Sequence, residues 1–245
     1  MERLYILAPP LLLLAILSGA FLVYCALCAT GRAPTIAGVK HNQILGPFIA
    51  RYIVWVLGPI ERSLVGRVSP NAITAVSLVM FMLAGVAIAT DHPAGASWMI
   101  GVAGILDILD GRLARIGNQQ SASGALVDSV ADRWGELFVF AGFAWYLHDS
   151  AWMLAALLAI AGSMMVSYTR ARGESVGVLC KVGIMQRAER MLLLGMASIL
   201  DPWISDAIHR DLGTIVSYAI AAIAVGTVWT SVHRTIWISK ALKGK

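Results

Sequence analysis

Apolar runs of about 20 residues recur along this chain, and they constrain its fold more than any other feature. A helix of that length is what crosses the hydrocarbon core of a bilayer. Only 13% of the 245 residues are charged, too few to cover a soluble surface of this size. The composition excludes an ordinary soluble enzyme, a disordered protein and a disulfide scaffold. It predicts an all-α polytopic membrane protein embedded in the lipid bilayer.

The charge balance is basic, with a formal net charge of +5. In a soluble protein this excess would suggest nucleic-acid binding, but the cytoplasmic loops of membrane proteins also collect Lys and Arg. We therefore predict no nucleic-acid partner. Cys25 and Cys28 form a CxxC spacing inside an apolar run, with no second pair or nearby His. This context favours packed thiols over a metal or redox site.

The chain divides into three regions by composition. Residues 1–30 predict an extra N-terminal transmembrane helix, although a removable signal peptide is an alternative. Residues 31–69 predict a cytoplasmic interfacial segment. Within it, residues 44–65 mix apolar and basic residues, and Pro47 and Pro59 are expected to break the run. This pattern predicts an amphipathic helix lying on the membrane, with a short true span as the competing interpretation. Residues 70–240 predict a six-helix transmembrane core.

Six spans are expected in that core, at residues 71–90, 97–113, 124–147, 151–168, 191–200 and 214–237. The fifth is short and is expected to extend back toward residue 182 or forward through residue 204. With the N-terminal helix counted, sixteen of the nineteen basic residues lie on connections that share one side. Basic loops stay in the cytoplasm. The C-terminus and the active site are therefore predicted to lie on the cytoplasmic side of an inner or plasma membrane.

Four of the fourteen acidic residues fall in one short window across two apolar helices: Asp107, Asp110, Asp128 and Asp132. The first two are three residues apart and the last two are four apart, so each pair shares a helix face. A connection of about ten residues would bring the two pairs together at the cytoplasmic interface. Helix-terminal charges without a site are the alternative, but carboxylates near a bilayer are costly. All-oxygen ligation favours Mg²⁺ or Mn²⁺, and two ions could share these aspartates.

The residues between the aspartates suggest a phosphate ligand. Gly111 follows Asp110 directly, and Gly124 opens the next helix. Both leave backbone open to close approach. Ala114 is small, and Arg115 can bind a phosphate oxygen. A metal, an arginine and bare backbone together predict a phosphate or pyrophosphate site.

The full pattern is D-G-x2-A-R-x8-G-x3-D-x3-D with a further Asp three residues earlier, and it resembles the signature of the CDP-alcohol phosphatidyltransferases. The resemblance runs from about Ser69 to Arg234, and no motif position departs. It implies a CDP-linked donor, usually CDP-diacylglycerol, whose phosphorus is attacked by an acceptor alcohol while CMP leaves. It implies that Asp107, Asp110 and Asp128 bind metal. It also implies that Asp132 shares in a second metal and acts as general base.

The same resemblance assigns the nucleotide end of the site. It implies that Gly111, Ala114, Ser121 and Gly124 line the nucleotide and that Arg115 meets the pyrophosphate. The segment SPNAIT, residues 69–74, resembles the family's entry to its first core helix. Members of the family are commonly homodimers, so a homodimer is expected.

The acceptor is predicted from a second cluster of charge, between residues 170 and 190. The runs YTRARGE and RAER resemble the bacterial phosphatidylinositol phosphate synthases. That resemblance implies that Arg170, Arg190 and Arg234 hold the phosphate of inositol 1-phosphate. Lysine is usual at the first of these positions, so Arg170 is a departure that keeps the charge but changes its geometry. A phosphatidylglycerophosphate synthase using glycerol 3-phosphate is the alternative, and serine is less favoured. Choline and ethanolamine do not fit three cations.

A function of a different class is a cation transporter that uses intramembrane carboxylates. The aspartates, however, lie at one interface rather than at the midplane. No second acidic set offers an exit path, and the sequence shows no internal repeat. The pattern therefore favours the enzyme.

Overall fold

The structure, a computed structural model, describes residues 2–32, 46–180 and 182–243, and every regular element in these ranges is an α-helix. The helices are α1 (Glu2–Ala29), α2 (Gly46–Leu64), α3 (Pro70–Ala89), α4 (Pro93–Ile116), α5 (Ala122–Tyr146), α6 (Trp152–Ser175), α7 (Arg187–Ala207) and α8 (Thr214–Lys243). The predicted all-α class is confirmed. Lys40, Lys181 and Lys245, which contributed to the predicted orientation, lie outside the described residues.

Within the described ranges, five helices are long and apolar enough to cross a membrane, by length and composition: α1, α3, α4, α6 and α8. Helices α5 and α7 have 25 and 21 residues, but charged residues interrupt their apolar runs. The short run at residues 191–200 is extended at both ends in α7. The apolar helices support an integral membrane protein, and the total of seven spans stays a prediction.

Helix α2 covers most of the segment predicted to be amphipathic. It buries Tyr52 and Leu57 and leaves Phe48 and Ile60 exposed. The helix continues through Pro59, so the expected break at that residue is wrong. An internal proline removes one backbone hydrogen bond, and the packing of α2 on its neighbours tolerates that loss.

Helices α3 to α8 surround a common apolar core. Its buried members come from all six helices and include Phe81, Ile100, Phe140, Ala159, Leu194 and Ile220. Helix α3 packs against α4 and α5, α6 against α8, and α7 against α4. Helix α1 packs outside this core, against α4 and α2.

Two glycines allow α3 and α5 to approach closely. A Cβ atom on Gly142 would lie 2.4 Å from the carbonyl oxygen of Gly85, and a Cβ on Gly85 would lie 2.4 Å from that of Phe138. Small residues at such crossings let backbones touch, which is how helices associate in membranes. The contact fixes α5, and with it Asp128 and Asp132, beside α3.

Asp201 joins α7 to the start of α8. The carboxylate is 2% exposed. It accepts backbone N–H bonds from Gly213 at 2.6 Å, Ile215 at 2.8 Å and Val216 at 3.3 Å. It therefore satisfies the N–H groups that the first turn of α8 leaves without helical partners.

Replacing Asp201 with alanine is expected to destabilise the protein by about 2–4 kcal/mol, because buried N–H groups lose their acceptor. Asp201→Asn keeps one acceptor oxygen and is expected to lose less. Thermal unfolding of the purified protein in detergent measures both. Asp206→Ala, an exposed aspartate on the same helix, is the control. An Asp201→Ala midpoint equal to that of the control would contradict this role.

Candidate active site

The end of α4 and the start of α5 meet as the aspartate spacing predicted. The connection is residues 117–121, shorter than the ten or so residues expected, because both helices extend into it. Ser121 ends the connection, and its hydroxyl accepts the N–H of Gly124 at 3.0 Å. This N-cap explains why α5 begins at Ala122, so that Asp128 lies in its second turn.

Three carboxylates converge at this junction. One oxygen each from Asp107, Asp110 and Asp128 lies within 4.8 Å of the others, among the residues the structure describes. Asp110 is buried and accepts a hydrogen bond from the Thr74 hydroxyl at 2.5 Å. Ser69 caps α3, so Thr74 lies near the start of that helix. Hard oxygen donors in this arrangement fit a divalent cation such as Mg²⁺ or Mn²⁺.

Asp132 lies beside this group and contacts Arg187, which was not among the predicted site residues. Arg187 Nη1 is 2.6 Å from an oxygen of Asp107 and 2.9 Å from one of Asp132. The guanidinium also lies 5.2 Å from the ring centre of Phe81. One cation therefore holds two of the four aspartates. Its position in the basic cluster was visible in the sequence, but its partner is 80 residues away.

The three arginines expected to bind the acceptor have different partners. Arg190 is 1% exposed and donates to Glu136 and to the Met185 carbonyl. Arg234 donates to the carbonyls of Val182 and Val166, each at 2.7 Å. Arg170 is exposed and donates to Glu174 at 3.0 Å. Two of the three are thus fixed in place, and Arg170 sits at the surface.

A cavity of about 750 Å³ brings these groups together. Its polar end is lined by Asp107, Asp132, Arg170, Arg187, Arg190 and Arg234. From there it extends between apolar side chains of α1, α2, α4 and α7. A molecule with a charged head and an apolar body would match both ends.

The residues expected at the nucleotide lie outside the described lining of the cavity: Gly111, Ala114, Arg115, Ser121 and Gly124. A Cβ on Gly124 would lie 3.0 Å from the Ser121 hydroxyl, and one on Gly111 would lie 3.4 Å from the Arg115 guanidinium. Contact of these five residues with a nucleotide stays a prediction.

A buried ion pair joins α2 to the part of α4 that carries Asp107 and Asp110. The Arg112 guanidinium donates to both carboxylate oxygens of Glu61 on α2, and its Nη2 bond is 2.9 Å long. Both residues are buried. Because a bidentate pair fixes orientation as well as distance, α2 is held against the helix that presents Asp107 and Asp110.

Residues 67–237 match the family model for CDP-alcohol phosphatidyltransferase. The match covers more than half of the chain. The chain belongs to the CDP-alcohol phosphatidyltransferase family. The family predicted from the aspartate pattern is confirmed, and with it a membrane enzyme of phospholipid biosynthesis.

Two relatives show which members of the CDP-alcohol phosphatidyltransferases the chain is similar to. It is 33% identical over 149 residues to the archaetidylinositol phosphate synthase of Methanothermobacter thermautotrophicus, covering 59% of this chain and 70% of that one. It is 29% identical over 226 residues to the phosphatidylinositol phosphate synthase of Streptomyces avermitilis, covering 86% of this chain and 88% of that one.

The fold is similar to a solved phosphatidylinositol phosphate synthase, that of Mycobacterium tuberculosis. With CDP-DAG bound, that structure matches with a TM-score of 0.67 at 23% identity, covering 75% of this chain and 94% of that one. In complex with manganese and citrate, it matches with a TM-score of 0.66 at 24% identity, covering 74% and 87%. The all-helical architecture is therefore that of a known family fold.

Proposed function

We propose that this chain transfers a phosphatidyl group from CDP-diacylglycerol, or a similar CDP-lipid, to a hydroxyl of inositol 1-phosphate and releases CMP. The observation behind this proposal is the convergence of three carboxylates, one of which, that of Asp107, also lines the polar end of a cavity that holds arginines. Anionic ligands and hard cations are what such a site attracts. The relatives named phosphatidylinositol phosphate and archaetidylinositol phosphate synthase support the acceptor.

The cluster of three carboxylates is proposed to hold a divalent cation, Mg²⁺ or Mn²⁺. Asp107, Asp110 and Asp128 supply oxygens within 4.8 Å of one another, which fits a hard ion. We expect two ions, with Asp132 sharing in the second. When bound, such ions would neutralise charge on the pyrophosphate that is being cleaved. The manganese complex of the Mycobacterium tuberculosis synthase supports this choice of metal.

The acceptor phosphate is proposed to bind Arg170, Arg190 and Arg234, which all line the polar end of the cavity. The hydrogen bonds described for Arg190 and Arg234 use Nε and Nη1, so Nη2 of each is left for a phosphate oxygen. Because these two arginines are already fixed by buried partners, little side-chain entropy is lost when they bind a ligand. Exposed Arg170 would complete the set.

Asp132 is proposed as the general base. Its carboxylate takes the proton from the acceptor hydroxyl, whose oxygen forms a new bond to the phosphorus that carries the lipid. The bond between that phosphorus and the oxygen of CMP breaks, and CMP leaves with the electron pair. Arg187 holds Asp132 on one side of this pocket. Arg115 is proposed to contact the pyrophosphate, and four small residues are proposed to admit the nucleotide: Gly111, Ala114, Ser121 and Gly124.

The orientation follows from where the basic residues lie. The site stands at the ends of α4, α6 and α8 and at the starts of α5 and α7, where most of the basic residues lie. We propose that this end and the C-terminus face the cytoplasm. A homodimer is proposed from the resemblance to the family. The assignment of residues 1–30, 31–69 and 70–240 to three regions remains part of this proposal.

CMP release from CDP-diacylglycerol by the purified protein with Mg²⁺ tests the function. Inositol 1-phosphate, glycerol 3-phosphate, free inositol and serine are offered in parallel. We expect release with inositol 1-phosphate alone. Release only with glycerol 3-phosphate would support the proposed reaction but contradict inositol 1-phosphate as the acceptor. If all four acceptors fail, the same set is repeated with CDP-archaeol, and a second failure would contradict the function. Cation uptake into proteoliposomes without CMP release would instead support a transporter.

A further inference from the structure

The part of the cavity that extends between apolar side chains of α1, α2, α4 and α7 is called the apolar arm here, and α1 forms one of its walls. Its residues Pro10, Leu13, Leu14 and Leu17 line that arm. They are spaced three, four and seven residues from the first, so they form one stripe along the helix. Leu12, on another face of α1, is 63% exposed. One face of α1 therefore lines the cavity, and another is left to the bilayer.

The wall is held in place at two points. Against α4, the Leu13 side chain lies 3.0 Å from where a Cβ on Gly101 would be. Against α2, the Tyr52 hydroxyl donates to the Leu17 carbonyl. Aromatic rings extend this second contact, with Tyr24 5.5 Å from Trp55 between ring centres. Helices α1 and α2, which both line the cavity, are thus joined to each other.

Two glycines on the walls contributed by α4 and α7 leave space in the cavity. Gly104 on α4 and Gly195 on α7 both line the cavity. A Cβ on either would meet no atom within 4 Å. Protein interiors are close-packed, so an apolar channel this wide beside a charged site calls for an apolar occupant.

We propose that α1 closes the bilayer side of a binding site for a hydrocarbon chain of the lipid donor. This inference rests on the proposed function, because the occupant is the apolar part of the CDP-linked lipid. The arm is continuous with the polar end at Asp107 and Asp132, so one molecule with a phosphate head and a hydrocarbon chain fills both. Helix α1 precedes the family match, which begins at residue 67. The wall is thus an addition to the family domain.

Two cavity-filling variants test the site in kinetics. Leu14→Trp adds bulk from α1, and Gly195→Leu adds it from α7. Both should raise KM for CDP-diacylglycerol about tenfold, the affinity lost when roughly two methylenes no longer find room. The KM for the acceptor should stay within about twofold, since the polar end is unchanged. Gly195→Leu is expected to fold, because leucine favours a helix over glycine and its Cβ meets open space.

Matched controls lie on the face of α1 that points away from the cavity. Leu12→Trp and Gly19→Leu make the same substitutions at exposed positions. Both should keep the donor KM of the unmodified protein. If Leu14→Trp and Gly195→Leu behave like these controls, the hydrocarbon chain of the donor does not bind in this cavity. The inference is then overturned even though the enzyme is active.

Photolabelling tests the wall without turnover. The full-length protein in nanodiscs is irradiated with a CDP-lipid that carries a diazirine on its hydrocarbon chain, and labelled residues are identified by mass spectrometry. Excess CDP-diacylglycerol should suppress labelling of Leu13, Leu14 and Leu17 but not of Leu12 or Ile16. Equal suppression on both faces, or none on either, would overturn the wall. A protein that shows the selective pattern but releases no CMP would refute the proposed function and keep the wall.

Discussion

Asp132→Asn is expected to lower kcat for CMP release by about 10²- to 10⁴-fold, the usual contribution of a general base. Asparagine has nearly the same shape as aspartate but cannot take the proton of the acceptor hydroxyl. The change leaves Arg187 with a partner, because that guanidinium also donates to Asp107 at 2.6 Å. No buried cation is orphaned, so the variant is expected to fold. Initial rates with inositol 1-phosphate and CDP-diacylglycerol measure the effect.

The control is Asp149→Asn, in the exposed connection at the far end of α5. It changes the same functional group away from the site and should leave the rate unaltered. Binding of Mn²⁺ by electron paramagnetic resonance separates the two roles proposed for Asp132. Loss of one of two bound ions would identify it also as a ligand. An Asp132→Asn enzyme within about threefold of the unmodified rate would refute the base, since a base contributes far more than that.

The meeting of α4 and α5 could be predicted because it rests on local rules. The two aspartate pairs share helix faces through spacings of three and four residues. Ser69 and Ser121 cap the helices that follow them, and N-cap residues can be read from sequence. The apolar runs predicted where the helices lie, although the helix ends in the structure differ from the predicted ends. Helix α7 extends beyond its apolar run because Glu189 accepts the Gln186 N–H at one end and Asp201 binds α8 at the other.

The parts that escaped prediction depend on packing between distant segments. In the sequence, Arg187 is one basic residue among several. Its role is visible only in the fold, because the packing of α7 on α4 places it 2.6 Å from Asp107. Thr74 belonged to a motif but had no evident role until α3 crossed α4. Residues 10–17 of α1 are all apolar, so nothing in the sequence distinguished Leu14 from Leu12. Which face of such a helix contacts protein is decided by its neighbours, not by its own residues.

Asp110→Asn is expected to abolish metal binding and lower turnover by about 10³-fold or more, because charge neutralisation by a bound metal contributes several kcal/mol. Asp110 is the buried member of the three-carboxylate group, so bulk water screens the loss of its charge only weakly. The asparagine oxygen can still accept the Thr74 hydrogen bond, which preserves the local fold. Mn²⁺ titration by electron paramagnetic resonance and CMP release are measured on the same preparation.

Thr74→Val makes the same argument in a graded form. Valine keeps the shape of threonine but removes the 2.5 Å hydrogen bond that orients the Asp110 carboxylate. Such supporting bonds typically contribute about 10- to 100-fold in metal affinity, so Thr74→Val should fall between the unmodified protein and Asp110→Asn. Ser77→Ala is the matched control: it removes a buried hydroxyl from the same helix, but one that donates to the Ala103 carbonyl. Its Mn²⁺ affinity should be unchanged. If Thr74→Val and Ser77→Ala weaken Mn²⁺ equally, α3 acts through general packing, and Asp110 is not oriented by Thr74 for a metal.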